Sequence, residues 1–184
     1  VATGFAYLEI NPFTIKDGEI VPLDMVAKLD DAEEYWQRKR WNGLVFAQPF
    51  GRSLSAEELF IKELDSKTGA SLKLTILNPE GRIWTMVAGG GASVIYADTI
   101  CDLGFAREMA NYGEYSGDPN TEETYYYTKT ILDLMTRKKD PRGKVLLIGG
   151  AIANFTDVAK TFKGVTMALE EYREKLREAG VKIY

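Results

Sequence analysis

One stretch near the end of the chain constrains the fold more than any other. Residues 145–172 read VLLIGGAIANFTDVAKTFKGVTMALEEY. The short apolar run Val145–Ile148 is typical of a strand buried on both faces of a parallel sheet. Two glycines end this run, and apolar residues then recur at helical spacing from Val158 onward. The stretch therefore predicts a strand, a loop and a helix of an α/β protein.

Polar side chains precede the start of this predicted helix. Asn154 and Thr156 offer an amide and a hydroxyl in the loop. A helix that begins at the carboxyl end of a parallel strand turns its unpaired N–H groups and the positive end of its dipole toward a crevice, where anions bind in α/β sheets. The pattern indicates a carboxylate or phosphate site. Ordinary helix capping explains the same residues equally well.

Composition excludes several classes of function. The 184 residues carry a net charge of −4 without a basic patch, which argues against nucleic acid as a partner. The apolar runs are too short to span a membrane. The chain has no histidine, which excludes histidine-based acid–base catalysis and ordinary zinc sites, and we name no catalytic residue. Its one cysteine, Cys101, suits a reducing compartment such as the cytoplasm, and the apolar neighbours of Cys101 predict a buried thiol.

The order of patterns indicates the fold class. From about residue 72 the chain alternates between strand and helix patterns, which predicts an α/β domain with a mostly parallel sheet and flanking helices. Residues 72–77 and 82–87 read as a β-hairpin, and residues 111–119 read as a loop. Ser55 and Glu58 form the pattern of a helix capping box. Residues 30–40 read as a short helix with Trp36 packed on one face.

Two further groups of polar residues suit a hard cation. Asn11 ends the first predicted strand and Asp24 ends its return strand, so an amide oxygen and a carboxylate could together hold Mg²⁺ with nucleotide phosphates. The loop at residues 65–71 offers a carboxylate, hydroxyls and backbone carbonyls to a cation. Turn residues of the ordinary kind explain both groups without a metal.

Four motifs resemble a known family. They are YLEINPFTIKDGEIVPLDMVAK at residues 7–28, LNPEGRIWTMVAGGGASVIYADTICDLG at 77–104, ANYGEYSG at 110–117 and LIGGAIANFTDVAKTFKG at 147–164. The first resembles the end of the ATP-grasp domain in succinyl-CoA synthetase β-subunits and their relatives. The other three look very like the ATP-citrate lyase family. The resemblance covers nearly the whole chain.

The resemblance implies a division of the chain and a reaction. Residues 1–48 would be the C-terminal end of an ATP-grasp domain, 49–71 a linker helix with a metal loop, and 72–184 a citrate-binding CoA-ligase domain of the flavodoxin-like type. The family makes acetyl-CoA and oxaloacetate from citrate, CoA and ATP, with Mg²⁺, through phosphohistidine, citryl phosphate and citryl-CoA. The phosphohistidine and the lyase module would lie on other domains or subunits of an oligomer. We therefore expect the 184-residue chain alone to be inactive.

The resemblance also assigns residues to sites. The citrate contacts would be Gly117, Asn154, Thr156 and Tyr172; the Mg–nucleotide site would use Asn11 and Asp24; and a metal ion would bind Asp65, Thr68 and the carbonyl of Ala70. On a straight helix Tyr172 would lie roughly 24 Å from Thr156, at a rise of about 1.5 Å per residue. Either the helix breaks, for example near Gly164, or the assignment of Tyr172 is wrong.

Three other interpretations stay open at this point. Citryl-CoA synthetase shares this segment of sequence but stops at citryl-CoA. A succinyl-CoA synthetase β-like subunit would bind succinate instead of citrate. A non-catalytic module would serve only in assembly with partner segments.

Overall fold

The chain forms two compact units, Val1–Ser53 and Leu54–Tyr184. The computed structural model describes residues 3–44, 53–151, 153 and 155–184. None of the helices in these ranges combines the length and apolar composition that crossing a bilayer requires.

The first unit is built on two pairs of antiparallel strands. Strand β1 (Phe5–Ile10) pairs with β4 (Met25–Leu29), and β2 (Phe13–Lys16) pairs with β3 (Glu19–Pro22). The predicted hairpin turn is confirmed at Asp17 and Gly18, which lie at positive φ of 53° and 83°.

A short helical segment follows these strands. A 3₁₀ turn (Asp31–Glu33) leads into α1 (Glu34–Gln37). The packing predicted for Trp36 is wrong, because 76% of this residue is exposed. Four helical residues present no continuous apolar face that could bury it.

The second unit contains a five-stranded sheet with helices. Its strands are β5 (Ser71–Ile76), β6 (Ile83–Ala88), β7 (Asn111–Ser116), β8 (Lys144–Gly150) and β9 (Val181–Ile183). Its helices are α2 (Ala56–Ser66), α3 (Gly90–Ile100), α4 (Thr121–Thr136) and α5 (Val158–Glu178). The order across the sheet is β5-β7-β6-β8-β9, and β5 alone runs antiparallel to its neighbour. The predicted α/β fold with a mostly parallel sheet is confirmed.

The middle of the sheet differs from the prediction. The hairpin predicted between residues 72–77 and 82–87 is wrong, because β7 lies between these strands. Residues 111–116, predicted as part of a loop, form β7 itself. The buried side chain of Asn111 completes the pairing of β7 with β6: its Oδ1 accepts the N–H of Thr85 at 2.8 Å, and its Nδ2 donates to the carbonyl of Thr85 at 2.9 Å. A polar strand of this kind has no hydrophobic pattern to reveal it.

The core lies between the sheet and helices α2, α4 and α5. Its fully buried members include Trp84, Met86, Tyr127, Ile131 and Leu146. The capping box predicted for α2 is confirmed, since the Ser55 and Glu58 side chains each accept the backbone N–H of the other. Glu58 also accepts the N–H of Ile76 at 2.8 Å. Helix α2, assigned above to a linker, is therefore tied directly to β5.

Cys101 lies at the end of α3, and the burial predicted for it is wrong. The thiol residue is exposed, as are Leu103 and Phe105. A π-helical turn (Cys101–Phe105) follows α3, and Gly104 ends the helical path at a φ of 88°. Of the apolar neighbours that suggested a core position, Ile100 is buried, but Leu103 and Phe105 lie on the surface.

Candidate functional site

The carboxyl ends of β6, β7 and β8 meet at one edge of the sheet. Strand β7 lies on one side of β6 and β8 on the other, so the connections leave this edge in opposite directions. Such a switch point is where open α/β sheets bind ligands. A cavity of about 90 Å³ lies here. Its lining includes Gly89, Ser116, Gly117, Pro119 and Thr156.

Two of the predicted citrate contacts meet at this cavity. Gly117 follows β7 with a φ of 75°, in the left-handed region that favours glycine. A Cβ at Gly117 would lie 3.3 Å from the Cα of Ala70. Thr156 is half-buried in the loop before α5, and its N–H donates to the carbonyl of Ala153 at 2.9 Å. Asn154, the third predicted contact in these loops, lies outside the described residues.

The start of α3 also reaches the cavity. Gly89 precedes the helix at a φ of 92°, and a Cβ there would lie 2.9 Å from the carbonyl of Ala151. Within the described chain, no side chain caps this helix, and its first turn carries no acidic residue. The first N–H groups of α3 and the positive end of its dipole therefore suit a negatively charged ligand group.

The start of α5 is different, because an aspartate caps it. The Asp157 carboxylate accepts the backbone N–H of Lys160 at 3.1 Å and forms an ion pair with the Lys160 ammonium at 3.2 Å. The backbone N–H and then the side chain of Lys160 hold the pKa of Asp157 below its ordinary value. The capping alternative therefore applies to α5, with Asp157 as the cap. The Asn-Phe-Thr-Asp pattern signalled a cap, but pattern alone did not single out the aspartate.

Tyr172 does not join Gly117 and Thr156. Helix α5 runs without a break from Val158 to Glu178, so a break near Gly164 is excluded. The Tyr172 residue is 6% exposed, and its hydroxyl lies 3.4 Å from Oδ1 of Asp133. Burial, and then the charge of Asp133, raise the pKa of Tyr172.

Tyr172 borders a cavity of its own. That cavity has a volume of about 390 Å³ and is lined by residues of α2, α4 and α5, among them Phe60, Tyr126 and Lys129. It is larger than the cavity at the strand ends. None of the other predicted citrate contacts in the described chain lines it.

Asn11 and Asp24 are neighbours in the first unit. The N–H of Asn11 donates to the carbonyl of Asp24 at 3.2 Å, and both residues are exposed. Asn11 lies between β1 and β2, and Asp24 lies between β3 and β4. One oxygen of the Asp24 carboxylate accepts the N–H of Met25 at 2.8 Å. An amide oxygen and a carboxylate at one exposed position fit the hard oxygen ligands of Mg²⁺.

The loop after α2 is arranged differently. Asp65 Oδ1 accepts the N–H of Leu72 at 2.7 Å, and Oδ2 pairs with the Lys73 ammonium at 2.7 Å. The Thr68 hydroxyl accepts the N–H of Ala70 at 2.9 Å. Across the described ranges, no group of three or more His, Cys, Asp or Glu side chains could hold a metal. One carboxylate that a lysine already neutralises does not fit a divalent-cation site in this arrangement.

Comparison with known proteins identifies the family. The sequence profile of the family described as ATP citrate lyase citrate-binding matches residues 52–184. The chain belongs to this family. The resemblance of the three motifs between residues 77 and 164 to the ATP-citrate lyase family is thereby confirmed.

Members of the ATP-citrate synthase group are similar along nearly the whole chain. The ATP-citrate synthase of Mus musculus is 57% identical over 180 residues, which cover 98% of this chain and 16% of the mouse protein. The ATP-citrate synthase alpha chain protein 2 of Oryza sativa subsp. japonica is 58% identical over 180 residues, covering 98% of this chain and 43% of the rice protein. The chain thus spans less than half the length of these relatives.

Solved structures of ATP citrate lyases share the fold. A mutant of the Methanosaeta concilii enzyme, in complex with (3S)-citryl-CoA, is 82% identical with a TM-score of 0.91, covering 100% of this chain and 46% of that chain. The Methanothrix soehngenii enzyme, in complex with citrate and coenzyme A, is 82% identical with a TM-score of 0.90, covering 100% and 45%.

Proposed function

We propose that this chain is the citrate-binding part of an ATP-citrate lyase, which makes acetyl-CoA and oxaloacetate from citrate, CoA and ATP. The observation that carries the proposal is the meeting of Gly117 and Thr156 at one cavity, beside the uncapped start of α3. The similar structures that contain citrate, CoA or citryl-CoA support the proposal.

The residues at the cavity suit a ligand with several carboxylates. The first N–H groups of α3 would receive one carboxylate, because anions are stabilised at a helix N-terminus. The Thr156 hydroxyl and the backbone at Gly117 would hold another part of citrate. The glycines allow the ligand to approach the main chain closely.

The reacting groups would come together from several segments. Attack of a citrate carboxylate on a phosphoryl group requires alignment and charge neutralisation more than a protein base. The chain has no histidine, so a phosphohistidine would be supplied by another domain or subunit. That partner, with the lyase module, would complete the enzyme, and the 184 residues alone would be inactive.

A nucleotide site in the first unit belongs to the same proposal. Asn11 and Asp24 would hold Mg²⁺, which neutralises nucleotide phosphates when bound. Their shared exposed position supports this assignment. For the Asp65 loop we propose no metal step, because Lys73 occupies its carboxylate.

Calorimetric titration with citrate tests the citrate site. The protein at its full natural length is titrated with citrate and, separately, with succinate. Thr156→Val removes the hydroxyl with little change of shape, and we expect it to weaken citrate binding about tenfold or more, since a hydrogen bond to a charged group contributes about 1.5–3 kcal/mol. Thr166→Val makes the same exchange at an exposed position further along α5 and should change nothing.

Three outcomes would contradict the proposal. Equal citrate affinity of the wild type and Thr156→Val would remove Thr156 from the site. Preference for succinate would favour a succinyl-CoA synthetase-like subunit. Accumulation of citryl-CoA without acetyl-CoA in a turnover assay would favour citryl-CoA synthetase.

A further inference from the structure

One side-chain hydrogen bond joins the two loops at the proposed citrate cavity. Asp118 Oδ1 accepts the backbone N–H of Asp157 at 2.7 Å. Asp118 directly follows Gly117, and Asp157 directly follows Thr156. The bond therefore links the immediate neighbours of two predicted citrate contacts that are 39 residues apart in sequence.

An unusual backbone conformation at Asp118 accompanies this bond. Its φ is 60°, a left-handed conformation that non-glycine residues seldom adopt and that Asp and Asn tolerate best. Gly117 before it is also left-handed, at 75°. Two successive left-handed residues turn the chain after β7, and the Asp118 carboxylate then reaches the start of α5. Elsewhere in the described chain, Asp17 is the one other non-glycine residue at positive φ.

Other hydrogen bonds connect helices α4 and α5 directly. The buried Thr161 hydroxyl donates to the carbonyl of Pro119 at 3.4 Å, and the Thr121 hydroxyl donates to the carbonyl of Lys160 at 3.1 Å. These bonds connect the start of α4 with the first turn of α5. Loss of the Asp118 bond should therefore free the edge of the cavity while the packing of α4 on α5 remains.

We propose that Asp118 is a positioning residue for citrate, and this inference rests on the proposed citrate site. Its carboxylate sets the separation between the Gly117 loop and the Thr156 loop. A ligand that touches both loops binds best when the two are held at one distance beforehand, because loop ordering then costs less upon binding. Asp118 itself needs no contact with citrate.

Two substitutions separate the hydrogen bond from the charge. Asp118→Asn and Asp118→Gly both remove the negative charge. Asparagine keeps an acceptor oxygen and tolerates the left-handed backbone, whereas glycine adopts the same backbone without strain and has no acceptor. The control pair is Asp17→Asn and Asp17→Gly, the same exchange at the other left-handed aspartate, which lies in the hairpin turn of the first unit.

Citrate affinity and thermal stability are measured for all four variants at full natural length. We expect Asp118→Gly to bind citrate at least fivefold more weakly than Asp118→Asn, with melting temperatures close to each other. The two Asp17 variants should match the wild type in citrate affinity. A purely electrostatic role would give the two Asp118 variants equal citrate affinity, and a role in overall stability alone would give them different melting temperatures.

The results that would overturn the inference are distinct. Equal citrate affinity of Asp118→Asn and Asp118→Gly would show that the hydrogen bond does not position the site. A wild-type protein that binds no citrate would overturn the proposed function as well. Weaker binding by both Asp17 variants would show that the effect is not specific to the cavity.

Discussion

The two units of this chain are stabilised in different ways. Among the residues from 3 to 44 whose burial is described, Gly4 and Gln37 alone are buried, and apolar side chains such as Ile15 and Ile20 are about two-thirds exposed, at 66% and 65%. In the second unit, Trp84 is fully buried within a core whose members are each no more than 8% exposed. Isolated strand pairs are marginally stable in water, whereas a buried apolar core stabilises a domain by itself. Substitutions should therefore change stability far more in the second unit than in the first.

The largest effect is expected where α4 and α5 touch. A Cβ at Gly164 would lie 2.1 Å from the Thr124 hydroxyl oxygen and 2.3 Å from the carbonyl of Thr121. Gly164→Ala should therefore lower the free energy of unfolding by about 3 kcal/mol or more, because the helices must move apart. Urea unfolding measures this loss. Gly91→Ala in the first turn of α3 meets no atom within 4 Å and should be neutral or slightly stabilising; equal losses would contradict the close contact.

The next largest effect is expected at the β6–β7 junction. Asn111→Ala leaves the buried N–H and carbonyl of Thr85 without partners, at about 1–3 kcal/mol for each group. A total loss of about 3 kcal/mol should appear in thermal or urea unfolding. Asn78→Ala also removes two hydrogen bonds, but at an accessible loop, and should cost under about 1 kcal/mol. A neutral Asn111→Ala would mean that the strands do not depend on this side chain.

The capping boxes of α2 and α4 should contribute differently to stability. Glu58 is buried and accepts N–H groups from both Ser55 and Ile76, so Glu58→Gln should cost about 1–2 kcal/mol. Glu123 caps α4 at the surface by accepting the N–H of Asn120 alone. Glu123→Gln should therefore cost only about 0.5 kcal/mol. If the two variants unfold at the same urea concentration, the link from α2 to β5 contributes nothing.

The smallest effect is expected in the first unit. Ile15 and Ile20 face each other across β2 and β3, and both are exposed. Ile15→Thr in the 184-residue chain should change stability by no more than about 0.5 kcal/mol. Ile131→Thr in the core should cost several times as much, because Ile131 is fully buried. A large loss in Ile15→Thr would show that another surface covers this hairpin, and circular dichroism during heating would detect it.

Local patterns predicted much of the second unit. The strand, loop and helix predicted over residues 145–172 are β8, its following loop and α5. The Ser55 capping box was also predictable, since its signal spans four residues. These features succeed because the interactions that specify them lie within one turn of helix or one strand.

Strand β7 was not predictable from pattern, because its signal is not local. Its alternate residues Asn111, Gly113 and Tyr115 are buried, but only the tyrosine is a large apolar residue. Gly113 makes room for the hydroxyl of Tyr127, which donates to the carbonyl of Lys73 on β5. The burial of polar and small residues in β7 depends on partners tens of residues away.

The family, the α/β class and the residue types that suit an anion site all follow from the amino-acid sequence. Which of those residues meet depends on how the chain folds. The tertiary structure places Gly117 and Thr156 at one cavity, Tyr172 at another, and Lys73 on the carboxylate of Asp65. The reason is physical: helix and strand signals act between near neighbours, whereas the order of strands in a sheet depends on burial across the whole domain. The Asp118–Asp157 bond joins loops 39 residues apart, so it too depends on the tertiary structure and has no local signal in the sequence.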